Sequence, residues 1–281
     1  MNYTSEFYMK FLQAFAIIFL ALLFFSCKKE KENCKNFEYK SISAKQEQII
    51  TKYVDSCAHN YSYYSREWQE CLDKGLEEDS TIAYLWQQKA MPNFKARKYE
   101  LGMRYLDKAV KYNEKEWLPY RAFIKCIFAK TYAEAIDDFK TLKEKEGNQY
   151  VMDHTYDFYM ALCYLQLNKF EKAEKLLENE IEAEVEKWGE DGYHHLDLFY
   201  YGISLYEQSD YEDAVEIFDK SLSKYPKFSD ALYYKAIALS RLGAYEKAKE
   251  IYTLAKKEGE AGNTINEDNA VYEIYPYQVR W

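Results

Sequence analysis

Apolar residues return along this chain at intervals of three and four, and over Leu196 to Ala255 one pattern is written twice, 34 residues apart. Leu198, Gly202 and Leu205 share one helical face; after a break, Tyr211, Ala214, Phe218 and Leu222 form a second stripe that closes before Pro226. The same phases carry Leu232, Ala236 and Leu239, then Tyr245, Ala248 and Tyr252. The spacing predicts paired amphipathic helices, and a period of this length predicts a stack in which each pair buries its faces against its neighbours. Where two helices cross closely a side chain must be nearly absent. Gly202 is therefore expected against Ala214 and Ala236 against Ala248, with Phe218 and Tyr252 filling the space toward the neighbouring hairpin.

The small first-helix residues Gly202 and Ala236, the turn aromatics Tyr211 and Tyr245, the second-helix Ala214 and Ala248 and the closing Pro226 together resemble the tetratricopeptide repeat, or TPR. That resemblance implies an all-α fold, a TPR-like right-handed superhelical solenoid of antiparallel helix pairs. About six pairs are expected over residues 45–258. In that family, first-helix positions that do not pack between helices line a groove. The matching positions here are Phe158, Leu162 and Leu165, then Phe199, Ile203 and Tyr206, then Tyr233, Ile237 and Arg241. They imply an aromatic and aliphatic trough with one cation, suited to an extended peptide or a partner helix.

Earlier copies are degenerate. Ile49, Ile50, Tyr53 and Val54, followed by Trp68, Cys71, Leu72 and Leu76, read as a first pair. The next copy holds Trp86 and Ala90, then Tyr99, Gly102, Leu106 and Ala109; Pro92 inside it predicts a shortened first helix. Two further copies follow, through Leu118, Ala122, Tyr132, Ala135 and Phe139, and through Phe158, Ala161, Tyr164, Phe170, Ala173 and Leu177. The period then lengthens by seven around 182–195, an insert with Trp188, Gly189, Gly192, His194 and His195. Past Ala255 the repeat stops. The aromatic tail 259–281 is expected either to lie across the uncovered last hairpin or to fold into the groove.

At the other end, Phe11 to Phe25 is an apolar run of fifteen residues interrupted only by Gln13, the length of a signal-peptide core. Ser26-Cys27 and a Lys-rich segment follow, which resembles the bacterial lipoprotein cleavage box. The resemblance implies a signal peptide over 1–26, lipidation at Cys27 and a tether over 27–44. It places the chain as a membrane-anchored lipoprotein of a Gram-negative cell envelope, outer membrane before inner, with its body periplasmic or surface-exposed.

Composition narrows the partners. The chain is 48% hydrophobic and 18% aromatic with only 9 Gly and 4 Pro, which fits long packed helices. Its net charge of -9 offers no basic surface for nucleic acid. Beyond Cys27 and Cys34, Cys57 and Cys71 lie on adjacent predicted helices, about 9 Å apart along the axis at the α-helical rise, too far for a relaxed disulfide. Cys126 and Cys163 fall on apolar faces as small hydrophobes. Adjacent His194 and His195 diverge by about 100° on a helix and read as polar residues between repeats, even with Glu190 and Asp191 nearby. No nucleophile elbow, phosphate loop or dinucleotide fingerprint appears, so neither an enzyme nor a cofactor is expected. The sequence points to a non-catalytic scaffold that binds a protein or peptide. The alternatives are an outer-membrane uptake accessory that holds an oligosaccharide or peptide nutrient, and a purely structural lipoprotein whose tail permanently occupies its own groove.

Overall fold

A computed structural model of the chain describes residues 42–189 and 192–281. The signal segment, Cys27, Cys34 and the tether as far as 41 lie outside the described residues, as do Glu190 and Asp191. The compact unit is Gln48–Trp281, and the first described helix begins four residues before it.

Helix α1 (Ala44–Ile50) passes into a π-helical turn at Thr51–Asp55 and a 3-10 turn at Ala58–Asn60. Helices α2 (Arg66–Glu78), α3 (Ala83–Lys95), α4 (Tyr99–Tyr112) and α5 (Glu114–Ile124) follow. A π-helical turn at Lys125–Ala129 extends α5, and α6 is Tyr132–Glu146. Two short antiparallel strands, β1 (Tyr150–Val151) and β2 (His154–Thr155), precede α7 (Tyr156–Gln166) and α8 (Phe170–Trp188). The last pairs are α9 (His195–Glu207) with α10 (Tyr211–Lys224), and α11 (Ser229–Arg241) with α12 (Tyr245–Glu260). The described part of the insert comprises the long C-terminal end of α8 and residues 192–194, which carry no helix before α9.

One local device closes five of the pairs. Arg97, Lys130, Asn168, Ser209 and Gly243 each have left-handed φ, between 55 and 80°, and each stands two residues before the aromatic that opens the second helix. Those aromatics are Tyr99, Tyr132, Phe170, Tyr211 and Tyr245. Gly243 adopts this backbone freely, and at Arg97 and Lys130 a Cβ makes it unfavourable by about 1 kcal/mol. Helix starts are capped from the sequence as well. The Ser65 hydroxyl accepts from the Trp68 N–H at 3.1 Å, and the Thr155 hydroxyl from that of Phe158 at 3.1 Å.

Gly202 makes its room for an aromatic ring. A Cβ there would lie 2.6 Å from the buried Phe218 ring, so the tight packing is of the α9 backbone on Phe218, where Ala214 was the expected neighbour. Gly102 does the same for Phe94, with 2.8 Å between a Cβ and the ring. Ala214, Ala236 and Ala248 are buried, and Tyr211 is half-buried. Tyr245 and Tyr252 are exposed, because no further hairpin follows α12 in the described chain. Stacked and edge-on rings of Phe123, Phe139, Tyr159, Phe158 and Tyr200 run through the centre of the stack, each removed from water and contributing about 2–3 kcal/mol.

Two expectations are corrected. Cys57 and Cys71 form a disulfide, with Cα atoms 5.8 Å apart. The axial count failed because the segment before α2 is not one α-helix: it widens at Thr51–Asp55, and Cys57 itself has φ -121° and ψ -72°, outside the helical region. Cys126 and Cys163 are free and buried. Nor is α3 shortened by Pro92: it runs 13 residues, as α9 and α11 do. Pro92 lies in the last turn, where it forfeits one backbone bond, and the Asn93 amide donates to the neighbouring Lys89 carbonyl at 2.7 Å.

Candidate functional site

The first helices of successive pairs line a groove, and the chain's own C-terminal segment fills it. After α12 the segment is fastened to the start of α11, where the fully buried Asp230 accepts from the Thr264 hydroxyl at 2.6 Å and the Ile265 N–H at 3.0 Å. It passes the start of α7, where Glu267 lies 3.3 Å from the His154 ring. Burial alone would raise the Glu267 carboxyl, but the hydrogen bond and charge of His154, with His194 and His195 beyond, hold it below its ordinary value.

The segment then crosses to the opposite edge of the groove, formed by the left-handed turns. Glu273, with its side chain 6% exposed, takes a hydrogen bond from the Tyr99 hydroxyl and lies 3.5 Å from the Lys130 ammonium and 3.9 Å from the Arg97 guanidinium. Burial and the Glu273 bond push the Tyr99 phenol up to about 12. Beside it, the Lys95 ammonium stands 4.5 Å over the Tyr272 ring.

On its return, the buried Tyr275 and Pro276 pass over α7 and α9, and the Tyr200 hydroxyl donates to the Pro276 carbonyl at 3.0 Å. Tyr277 meets Tyr234 edge-on at 5.7 Å. The Val279 N–H donates to the other oxygen of Asp230 at 2.6 Å, so one carboxylate closes both ends of the loop. Trp281 finishes against Tyr233, Tyr252 and Gly259. The tail therefore does both things the sequence left open: its body fills the groove and its last residue covers part of the final hairpin.

This changes the residues that face the groove. Phe158, Leu162, Leu165, Phe199 and Ile203 are buried among the helices. Tyr206, Tyr233 and Ile237 are half-buried and Arg241 is exposed, so the nine do not form an open trough. Of the nine, Tyr233 meets the tail at Trp281, and further contacts come from the next residue in each helix, Tyr200 at the Pro276 carbonyl and Tyr234 at the Tyr277 ring, with Tyr159 at the equivalent position of α7. Their common phase was readable in the repeat. Arg97, Lys130 and Asp230 carried no such signal, because what defines them is a tail that has no period.

At the start of α7 and α9 lies a second feature, a polar cavity of about 590 Å³ between the insert and the tail. Asp153, Glu180, Glu184, Asp197, Glu267 and Asp268 line it with His154 and His194. Burial, reinforced by Glu184 and Glu180, holds the Asp197 carboxyl far above its ordinary value. His195 opens α9 beside the cavity, and burial together with His194 pushes its imidazole down to about 4. Among the described residues no group of three or more His, Cys, Asp or Glu is placed to hold a metal ion.

Residues 205–260 match the family described as tetratricopeptide repeat. An uncharacterized protein of Methanocaldococcus jannaschii is 39% identical over 56 residues, 19% of this chain, and the match spans 65% of that relative's length. A tetratricopeptide repeat protein from Parabacteroides merdae superposes with a TM-score of 0.59 at 15% identity, over 78% of this chain and 88% of that one. The C-terminal part of a TPR repeat-containing protein from Cytophaga hutchinsonii gives 0.55 at 16% identity, over 75% and 79%. At such identities the likeness is one of fold: this chain is an all-α, TPR-like solenoid.

Proposed function

We propose that this chain is a non-catalytic scaffold of a Gram-negative cell envelope, anchored through a lipid on Cys27, that holds a protein or peptide partner in the groove of its first helices. The observation that carries the reading is the groove's capacity to take irregular polypeptide. Side chains from α9 and α11, and from the α3–α4 and α5–α6 turns, satisfy a segment that has no secondary structure of its own over Glu273–Tyr277, through a carboxylate, a main-chain carbonyl and two rings. Such groups read a peptide by its backbone and a few anchors. The anchor rests on the apolar run Phe11–Phe25 and the Ser26-Cys27 pair.

A photo-crosslinking amino acid at Tyr234, introduced in envelope-associated protein, tests the groove. A discrete adduct with another polypeptide supports the reading, and adducts confined to the chain itself overturn it. Cys27→Ser tests the anchor: the body moves to the soluble fraction if lipid holds it, and stays with membranes if something else does.

A further inference from the structure

The segment seated in the groove also describes what the groove selects. We infer that residues 264–281 are a tethered occupant of a peptide-binding site, and that the partner it takes is an extended segment with an acidic residue two positions before a Tyr-Pro-Tyr run. The inference rests on the scaffold reading above and adds the partner's chemistry.

Three observations carry it. First, the groove holds the tip of the tail by specific functional groups as well as by burial of Tyr275 in the core. The Glu273 carboxylate is flanked by one hydroxyl and two cations, the Pro276 carbonyl takes the Tyr200 hydroxyl, and Tyr275 is enclosed between first helices. Any chain that presents the same groups at the same spacing satisfies the same partners.

Second, both cations stand where a side chain is least welcome. Arg97 and Lys130 have φ of 59° and 57° in the repeated left-handed turn, the position that Asn168, Ser209 and Gly243 fill elsewhere. Folding favours glycine or asparagine there, yet the two turns that face Glu273 carry long cations. The turns thus bring two cations to one buried carboxylate.

Third, the resident tip is held under constraint that a free peptide escapes. Tyr277 has φ 59°, a conformation bulky residues rarely adopt, at the point where the segment turns back toward Asp230. A partner running straight through the groove need not make that turn. Competition against a tethered segment is then set by effective concentration, on the order of millimolar for a short link, offset by the strain of the turn.

The test uses the full chain and a labelled peptide of residues 271–281. Glu273→Lys with Tyr275→Ala loosens the resident tip. The peptide is expected to bind that protein with a Kd at least tenfold below its Kd for the unaltered chain. A peptide with Glu273→Lys is expected to bind at least tenfold more weakly, and to recover when Arg97→Glu and Lys130→Glu are added to the protein. Equal affinity for loosened and unaltered chains, or equal binding of a scrambled peptide, overturns the inference.

Should the loosened protein not fold, Arg97→Gly with Lys130→Gly serves in its place, since glycine suits both turns. Amide exchange at 271–277 is expected to speed at least tenfold while α9 and α10 stay protected, and unchanged exchange at the tip overturns the inference. An adduct at Tyr234 with no peptide binding to the loosened chain leaves the scaffold reading standing and removes only the acidic-aromatic partner. Peptide binding with no foreign adduct does the reverse.

Discussion

Replacing Asp230 is the sharpest probe of how the C-terminal segment is held. Its two oxygens accept three hydrogen bonds, from the Thr264 hydroxyl and Ile265 N–H on the outgoing arm and from the Val279 N–H on the return. Asp230→Ala leaves two backbone donors and a hydroxyl without partners in a site closed to water. Each unsatisfied group costs about 1–2 kcal/mol. Against that stands the relief of a carboxylate whose burial raises it above its ordinary value in spite of those bonds. The balance is a loss of about 2–4 kcal/mol, confined to the tail and the start of α11. Hydrogen exchange resolved by residue is the assay: amides 264–281 should exchange faster by about one and a half to three powers of ten, at about 1.4 kcal/mol per tenfold, with α7 to α10 unchanged. Asp230→Asn sharpens the test, because one amide oxygen remains. Set toward Thr264 and Ile265 it keeps the outgoing arm, and its NH₂ opposes the Val279 N–H, so only 279–281 should be freed. Tail amides that keep their protection in Asp230→Ala would refute this account, as would loss of protection throughout the stack.

Three further outcomes are expected. Gly202→Ala gains about 1 kcal/mol of helix propensity but drives a methyl into the fully buried Phe218 ring, so the urea midpoint should fall by the equivalent of about 1–2 kcal/mol, and a rise would mean that Phe218 yields. Replacing Cys57 and Cys71 together by Ser opens a loop with a sequence separation of 14, worth about 3 kcal/mol; because that loop lies in the first pair, thermal unfolding followed at Trp68 should soften before the rest, and a single unshifted transition would contradict it. Asp197 retains its proton in the folded chain well above the pH at which the unfolded chain releases it, so stability falls as pH rises from about 4 through the raised value, whereas His195, lowered to about 4, makes stability fall as pH drops from about 6.5. Asp197→Asn should flatten the alkaline decline alone in denaturation midpoints measured from pH 5 to 8, and an unaltered slope would show that the proton is not held there.

The stack was legible because its determinants repeat. Leu198, Gly202, Ala214 and Phe218 recur 34 residues on as Leu232, Ala236, Ala248 and Tyr252, and the helices lie where that phase puts them. The groove was legible less well. First-helix positions were the right neighbourhood, but periodicity alone does not separate Phe199, wedged among Phe218, Phe228 and Tyr234, from Tyr200 one residue on, which reaches the tail. What was hidden had no period. The bridge from Cys57 to Cys71 depends on a helix that changes its winding, and Glu273 meets Arg97 and Lys130 across more than 140 residues of chain. Contacts of that range follow from where an irregular segment runs, which no local pattern records.

Trp281 supplies an internal gauge of whether the last residues of the tail are seated on the final hairpin. Its indole lies 5.7 Å from the Tyr233 ring and 6.4 Å from that of Tyr252, close enough for tyrosine excitation to pass to it almost completely. Departure of the segment separates donor from acceptor. The chain would then report release of its last residues as recovered emission from Tyr233 and Tyr252, with no dye attached and no residue altered.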